Sequence, residues 1–242
     1  MVDFFASSLI NGFMQSSMMG KGIVLIQLAT SIVMLAAVFS KWKSLASAGM
    51  MTRRIGRDVM GGREVLDYYT ARHDSTHSAI ENIYIATCER LLKLFAPDVR
   101  TMLVGRQPGA SSIAALTANE VGLVKALCEH VLEEEEIRLE KGMGLISTVV
   151  ALAPMLGLLG TVWGVLDAFA DMGAAGTATI ATMAPAISSA LVTTVVGLLI
   201  AIPGVALHSN LSSKLRDLMS DLEGFADDLM GRIALEFQGR SA

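Results

Sequence analysis

Residues 142–166 read GMGLISTVVALAPMLGLLGTVWGVL, a run of 25 positions with no Asp, Glu, Lys, Arg or His. A helix of roughly 20 apolar residues suffices to cross the hydrocarbon core of a bilayer. Two further runs share this character. Residues 22–39 (GIVLIQLATSIVMLAAVF) hold no charge over 18 positions, and residues 173–207 hold none over 35. The last is long enough for one span plus a short apolar connection. Inside lipid every backbone N–H and C=O needs a partner within its own segment, so each run is expected to be helical. Buried core helices of a large soluble domain would show a polar face, and these runs do not. Composition agrees: 52% of residues are hydrophobic and 17% charged, against about 25% charged in soluble domains.

Sidedness follows from the basic residues. Of 19 Lys and Arg, only Lys21 precedes the first run and none lies between the second and third. The positive-inside rule therefore places residues 41–141 and 209–242 in the cytoplasm and the N-terminus outside it. The expected organisation is an outer amphipathic segment over 1–21 and spans over 22–40, 142–170 and 179–208. A cytoplasmic helical region fills 41–141, a short outer connection carrying Asp171 fills 171–178, and a cytoplasmic helix fills 209–242. The first 20 residues lack the basic region and cleavage site of an exported leader, so they are expected to lie along the outer membrane boundary.

Within 41–141, Ser78-Ala-Ile-Glu81 and Thr117-Ala-Asn-Glu120 each fit a capping box, and the first predicted helix ends before Pro97. Residues 105–112, with Pro108 and Gly109, read as the connection between them. Cys88 and Cys128 form no C-x-x-C and read as reduced structural thiols. After residue 207, Leu211, Leu215, Leu218, Leu222, Phe225 and Leu229 alternate at spacings of four and three. That pattern suits a coiled-coil seam or an amphipathic helix packed on the chain's own helices.

Nothing points to an enzyme, a cofactor or a metal. Gly157-Leu-Leu-Gly160-Thr161-Val-Trp-Gly164 glances at a phosphate loop, but no Lys follows and the stretch lies mid-membrane. His73 and His77 are four apart with no third ligand, His208 reads as interfacial, and Glu133 to Glu136 read as a solvated face. The net charge of −4 and the lack of a basic patch interleaved with aromatics give no nucleic-acid signal.

The spans do carry small residues at helical spacing. Gly157, Thr161, Gly164 and Ala168 fall on one face, Gly160 and Gly164 form a G-x-x-x-G pair, and Ala186, Ala190, Thr193, Gly197, Ala201 and Gly204 follow a similar spacing. Such faces let helix backbones approach closely. Thr161, Ser188, Ser189, Thr193 and Thr194 add hydroxyls at membrane depth. They either bond back to their own helices or line a narrow polar path. A proton path needs a titratable group, and Asp167 and Asp171 sit only near the outer end. The carboxylate would have to come from another polypeptide.

Pro154-Met-Leu-Gly-Leu-Leu-Gly-Thr-Val-Trp-Gly164 resembles the second-span signature of the ExbB/TolQ/MotA family, a Pro followed by G-L-x-G-T-V-W-G. Residues 183–203, MAPAISSALVTTVVGLLIAIP, are similar to that family's third-span pattern around Pro185, Thr194, Gly197 and Pro203. The resemblance covers about 154–210, and three spans favour the ExbB/TolQ branch. It implies an all-α integral membrane protein of the bacterial inner membrane, assembled as a homopentameric ring. It also implies a partner, a dimer of single-span ExbD/TolR-like protein whose Asp carries the proton, with a TonB- or TolA-like protein beyond it. Thr161 and Thr194 match the family's pore-lining threonines, and Thr193 and Ser189 are expected to line the proton path with them. Ser189 stands where the family usually has Glu. A non-conducting membrane scaffold is the rival reading.

Overall fold

The structure is a computed structural model that describes residues 10–14, 16–62, 64–71, 78–105, 114–175 and 180–237. The described residues are all-α. In chain order the helices are α1 (Met18–Gly61), α2 (Asp67–Ala71), α3 (Ala79–Leu94), α4 (Pro97–Val104), α5 (Ala118–Glu140), α6 (Met143–Ala175) and α7 (Ile180–Phe237). Three long apolar helices are able to cross a membrane, one each in α1, α6 and α7. α1 has 44 residues and α7 has 58. At 1.5 Å per residue α7 is about 87 Å long, nearly three times the hydrocarbon thickness. Neither helix stops at the end of its apolar run; in α7 even Pro203 and Gly204, just before that end, do not break it. The polar stretch after residue 40 and the heptad stretch after residue 208 therefore continue their spans as single helices. α6 likewise runs to Ala175, into the stretch expected to be connection.

The chain divides into two compact units, Met1–Trp42 with Gly142–Ser212, and Lys43–Lys141 with Ser213–Ala242. In the first unit Met34, Ile146, Ala153 and Thr193 are among the most buried residues. Residues 10–14 are helical and lie against α7: a methyl on Gly12 would collide with the Val192 side chain. Most of the large apolar side chains in all three spans stay exposed, Ile32, Phe39, Leu158, Val162, Leu166 and Ile202 among them. Lipid or neighbouring chains must cover them.

In the second unit the heptad positions settle the choice left open above. Leu218, Leu222, Phe225 and Leu229 are all buried, together with Ile233 and Phe237. They face the chain's own helices: a methyl on Gly56 would touch Ile80 and Phe225, and the Phe95 and Phe237 rings stand 5.6 Å apart. α3 and α5 also pack together, burying Ile83, Leu91, Val124 and both cysteines. Burial pushes the Cys88 thiol up to about 12, helped by neighbouring Cys128, against a bond with Tyr84 that favours the thiolate. Such thiols are inert.

Thr117 forms the expected capping box, its hydroxyl accepting from the Glu120 N–H while the Glu120 carboxylate takes the Thr117 N–H at 2.8 Å. Ser78 caps α3 in position only. Its side chain makes no cap bond, and Glu81 is buried in the packing rather than lying along the surface. Residues 106–113, His73 and His77 lie outside the described residues.

The end of α7 holds the end of α1. Arg232 donates to the Val59 carbonyl at 2.9 Å and the Gly62 carbonyl at 2.7 Å, satisfying carbonyls that a helix terminus leaves open. Glu236 accepts from the Val65 N–H at 2.9 Å, and burial raises its carboxyl above the usual range. The Tyr84 hydroxyl donates to the Val65 carbonyl at 2.7 Å. The bonds from the Arg232 guanidinium are charge-assisted, a class that contributes about 1.5–3 kcal/mol each. Arg232→Ala is expected to lower the heat-denaturation midpoint in mild detergent, a loss of about 2–3 kcal/mol. Arg232→Lys should not restore it, since one ammonium replaces a fork that spans two carbonyls.

Candidate functional site

The site is built where α6 and α7 cross within the first unit. Their small residues face one another in antiparallel register. A methyl on Gly157 would stand 2.9 Å from the Thr194 Cα, and one on Gly197 would stand 2.6 Å from the Ala153 carbonyl oxygen. Methyls on Gly160 and Gly164 would collide with Thr193 and Ala190. At Gly157 and Gly197 backbone meets backbone, and at Gly160 and Gly164 it meets the Thr193 and Ala190 side chains, with no space for a further side chain at any of the four. The buried stripe of α6 runs through Ala153, Gly157, Gly160 and Ala168. Thr161, placed on that face from its spacing, sits instead at its edge, half-buried; Gly160 takes the inner position. On α7, Ala190, Thr193, Gly197, Ala201 and Gly204 are buried as the spacing implied, with Ala186 half-buried.

Pro154 lies inside α6, and Pro185 and Pro203 lie inside α7, without ending either helix. Each removes one N–H from the ladder, which membrane helices tolerate when neighbours supply partners.

The hydroxyls separate into two groups. Thr193 lies buried with its oxygen 3.0 Å from the Gly157 carbonyl and 2.8 Å from the Ala190 carbonyl, and its single proton serves one of them. Thr194, half-buried, donates to the same Gly157 carbonyl at 2.9 Å. Thr161 donates within its own helix to Leu158 at 2.7 Å, and Ser189 to Ala186 at 2.9 Å. Thr193 and Ser189 line a cavity of about 150 Å³ together with Ser16, Asp167 and Asp171. Thr161 and Thr194 do not line that cavity, and each is half-buried. Thr161 stands four residues from Gly157, about 6 Å along the axis, so it is one turn from the Thr194 contact.

One residue here was missed from the sequence. Gln27 of α1 is fully buried, and its Nε2 donates to the Ala153 carbonyl at 3.1 Å and the Thr193 carbonyl at 3.4 Å. The signal was present, the one amide in an 18-residue apolar run, but an uncharged side chain did not interrupt that run. Thr30 in the same helix bonds only to its own turn, at 2.9 Å and 3.0 Å.

The family described as the MotA/TolQ/ExbB proton channel family matches residues 107–224. ExbB of Neisseria gonorrhoeae, a biopolymer transport protein, is 33% identical over 160 residues, covering 66% of this chain and 71% of that protein. The chain belongs to the MotA/TolQ/ExbB proton channel family. TolQ of Pseudomonas aeruginosa, a Tol-Pal system protein, is 35% identical over 123 residues, and the chain spans about half its length (51% of each). TolQ of Haemophilus influenzae is 25% identical over 221 residues, 89% of each chain. The crossing of α6 and α7 falls inside the family's matched stretch, whereas Gln27 falls outside it.

The glycines at the crossing can be tested against one that faces open space. Gly197→Ala must displace the Ala153 carbonyl, an overpacking cost of about 1–3 kcal/mol. Gly173→Ala in α6 meets nothing within 4 Å and removes a helix-weakening Gly, a gain of about 0.5–1 kcal/mol. The first should lower the folded yield and heat-denaturation midpoint in detergent, and the second should leave both unchanged or raised.

Proposed function

We propose that this chain is the proton-channel subunit of an inner-membrane motor that converts proton motive force into mechanical work. It acts as a channel and motor part rather than an enzyme, in a homopentamer around a dimer of single-span ExbD/TolR-like protein. The motor serves a Ton, Tol-Pal or related system. The observation that carries this reading is a pair of half-buried hydroxyls, Thr161 and Thr194, beside a helix crossing too tight for any side chain. They lie in apolar runs without an ionisable residue at their depth. A titratable group must then be brought to them, and the natural source is an Asp on the partner's helix. Five copies would cover the apolar faces that a single chain leaves open.

Protonation of the partner's Asp removes a costly charge from the membrane, and release on the cytoplasmic side restores it. Each proton moved is worth about 2.3 kcal/mol per 100 mV of potential. The ring and the dimer turn against one another as successive copies take over the carboxylate. Thr193 and Ser189 belong to the inner cavity side, so their part is to hold the wall rather than to meet the partner. The rival reading, a non-conducting scaffold, draws on one observation: all four hydroxyls already donate to backbone carbonyls.

Thr→Val keeps the shape of the side chain and removes its hydroxyl. In liposomes holding the complex under an imposed potential, Thr161→Val and Thr194→Val should each lower proton flux at least tenfold. Native mass spectrometry should still give five copies of this chain. Wild-type flux in the double variant would leave the scaffold reading standing.

A further inference from the structure

Gln27 has no part in packing that an apolar residue would not fill more easily. Its side chain is fully buried, and its Oε1 has no donor. A buried acceptor left unmet costs free energy, and a Met of the same length would fill the space without one. What the amide adds is geometry. Its two N–H groups go to carbonyls on two different helices, Ala153 of α6 and Thr193 of α7. Those carbonyls dictate the orientation of the amide, since turning it over would face oxygen with oxygen.

The two carbonyls flank the tightest point of the crossing. A methyl on Gly197 would stand 3.0 Å from the Gln27 nitrogen, and one on Gly157 would stand 3.5 Å from it. Thr194 follows Thr193 directly, and Gly157, which accepts its hydroxyl, is one turn from Ala153. Fixing Ala153 to Thr193 therefore fixes the bond between Thr194 and Gly157. Without the tie, a small slide of α7 along α6 would let the Thr194 hydroxyl turn back to its own helix, the usual state of an intramembrane Thr.

We propose that Gln27 is a positioning residue of the proton path, whose amide ties α6 to α7 and holds the Thr194 hydroxyl where the partner's carboxylate passes. This rests on the channel reading above. Gln27 touches neither proton nor partner; it acts through Thr194.

The test is proton flux in liposomes carrying the full chain co-expressed with a single-span ExbD/TolR-type partner. A wild-type complex that conducts nothing overturns the channel reading itself. In a conducting complex, Gln27→Met should lower flux about tenfold with ring yield within twofold of wild type, and wild-type flux would overturn the role of Gln27 alone. The double variant Gln27→Met, Thr194→Val separates positioning from general weakening. If Gln27 acts through Thr194, the double variant should lose no more than about twofold beyond Thr194→Val. A further tenfold loss would show that Gln27 acts elsewhere. Should Gln27→Met fail to assemble, Gln27→Asn carries the test. Its amide is one methylene short and reaches at most one of the two carbonyls. A drop of several-fold at normal ring yield supports the proposal, and unchanged flux overturns it.

Discussion

Backbone contact between α6 and α7 at Gly157 and Gly197 is the constraint on which the rest of the intramembrane unit depends. At these positions a single methyl would run into a Cα or a carbonyl oxygen. Lipid tails are as apolar as Leu, so no hydrophobic force draws two spans together, and close packing must do so instead. The closeness has a second effect. It brings the hydroxyls of Thr193 and Thr194 within reach of a carbonyl on the neighbouring helix, and it exposes the Ala153 and Thr193 carbonyls to the amide of Gln27. The Thr194 hydroxyl and the Gln27 N–H groups, costly if left unmet in lipid, thus find acceptors across the crossing rather than along their own helices. A polar line through an apolar bundle follows from packing so tight that backbones supply the acceptors.

The second unit solves a different problem. Its helices lie among polar and charged residues, so ordinary hydrophobic burial holds them, with Ile80, Ile83, Leu222, Leu229 and Ile233 fully or nearly fully buried. Arg232, Glu236 and Tyr84 then secure the chain between the end of α1 and the start of α3. α1 and α7 each belong partly to both units, so both carry membrane-spanning and polar stretches in one continuous helix.

Much of this was legible in the residues. Charge-free runs identify three spans because lipid excludes charge so strongly that composition alone reports it. The small-residue stripe of α7 was placed correctly, since its spacing is uninterrupted from Ala190 to Gly204. On α6 the Gly160–Gly164 pair and Gly157 face α7 as read, whereas Thr161 sits at the edge: Gly160 and Thr161 are adjacent, both are small, and spacing alone does not say which turns inward. Ser78 shows the limit of a local motif, because burial of Glu81 in tertiary packing overrode it. The heptad residues of α7 could not reveal their partner, for an apolar seam looks the same whether it meets another chain or its own. Gln27 was missed for a plainer reason. A lone amide barely alters hydropathy, and its meaning lies wholly in two carbonyls 126 and 166 positions away.

In the proposed channel, ion transfer, the helix crossing and the tie at Gln27 converge on one distance, and a structure of this chain with an ExbD/TolR-type partner measures it directly. The account predicts the partner's Asp carboxylate beside Thr161 and Thr194 in at least one copy, at about 3 Å or one water further. A ring in which those two hydroxyls face lipid, with the carboxylate set against the Leu and Val faces of the spans, would contradict it.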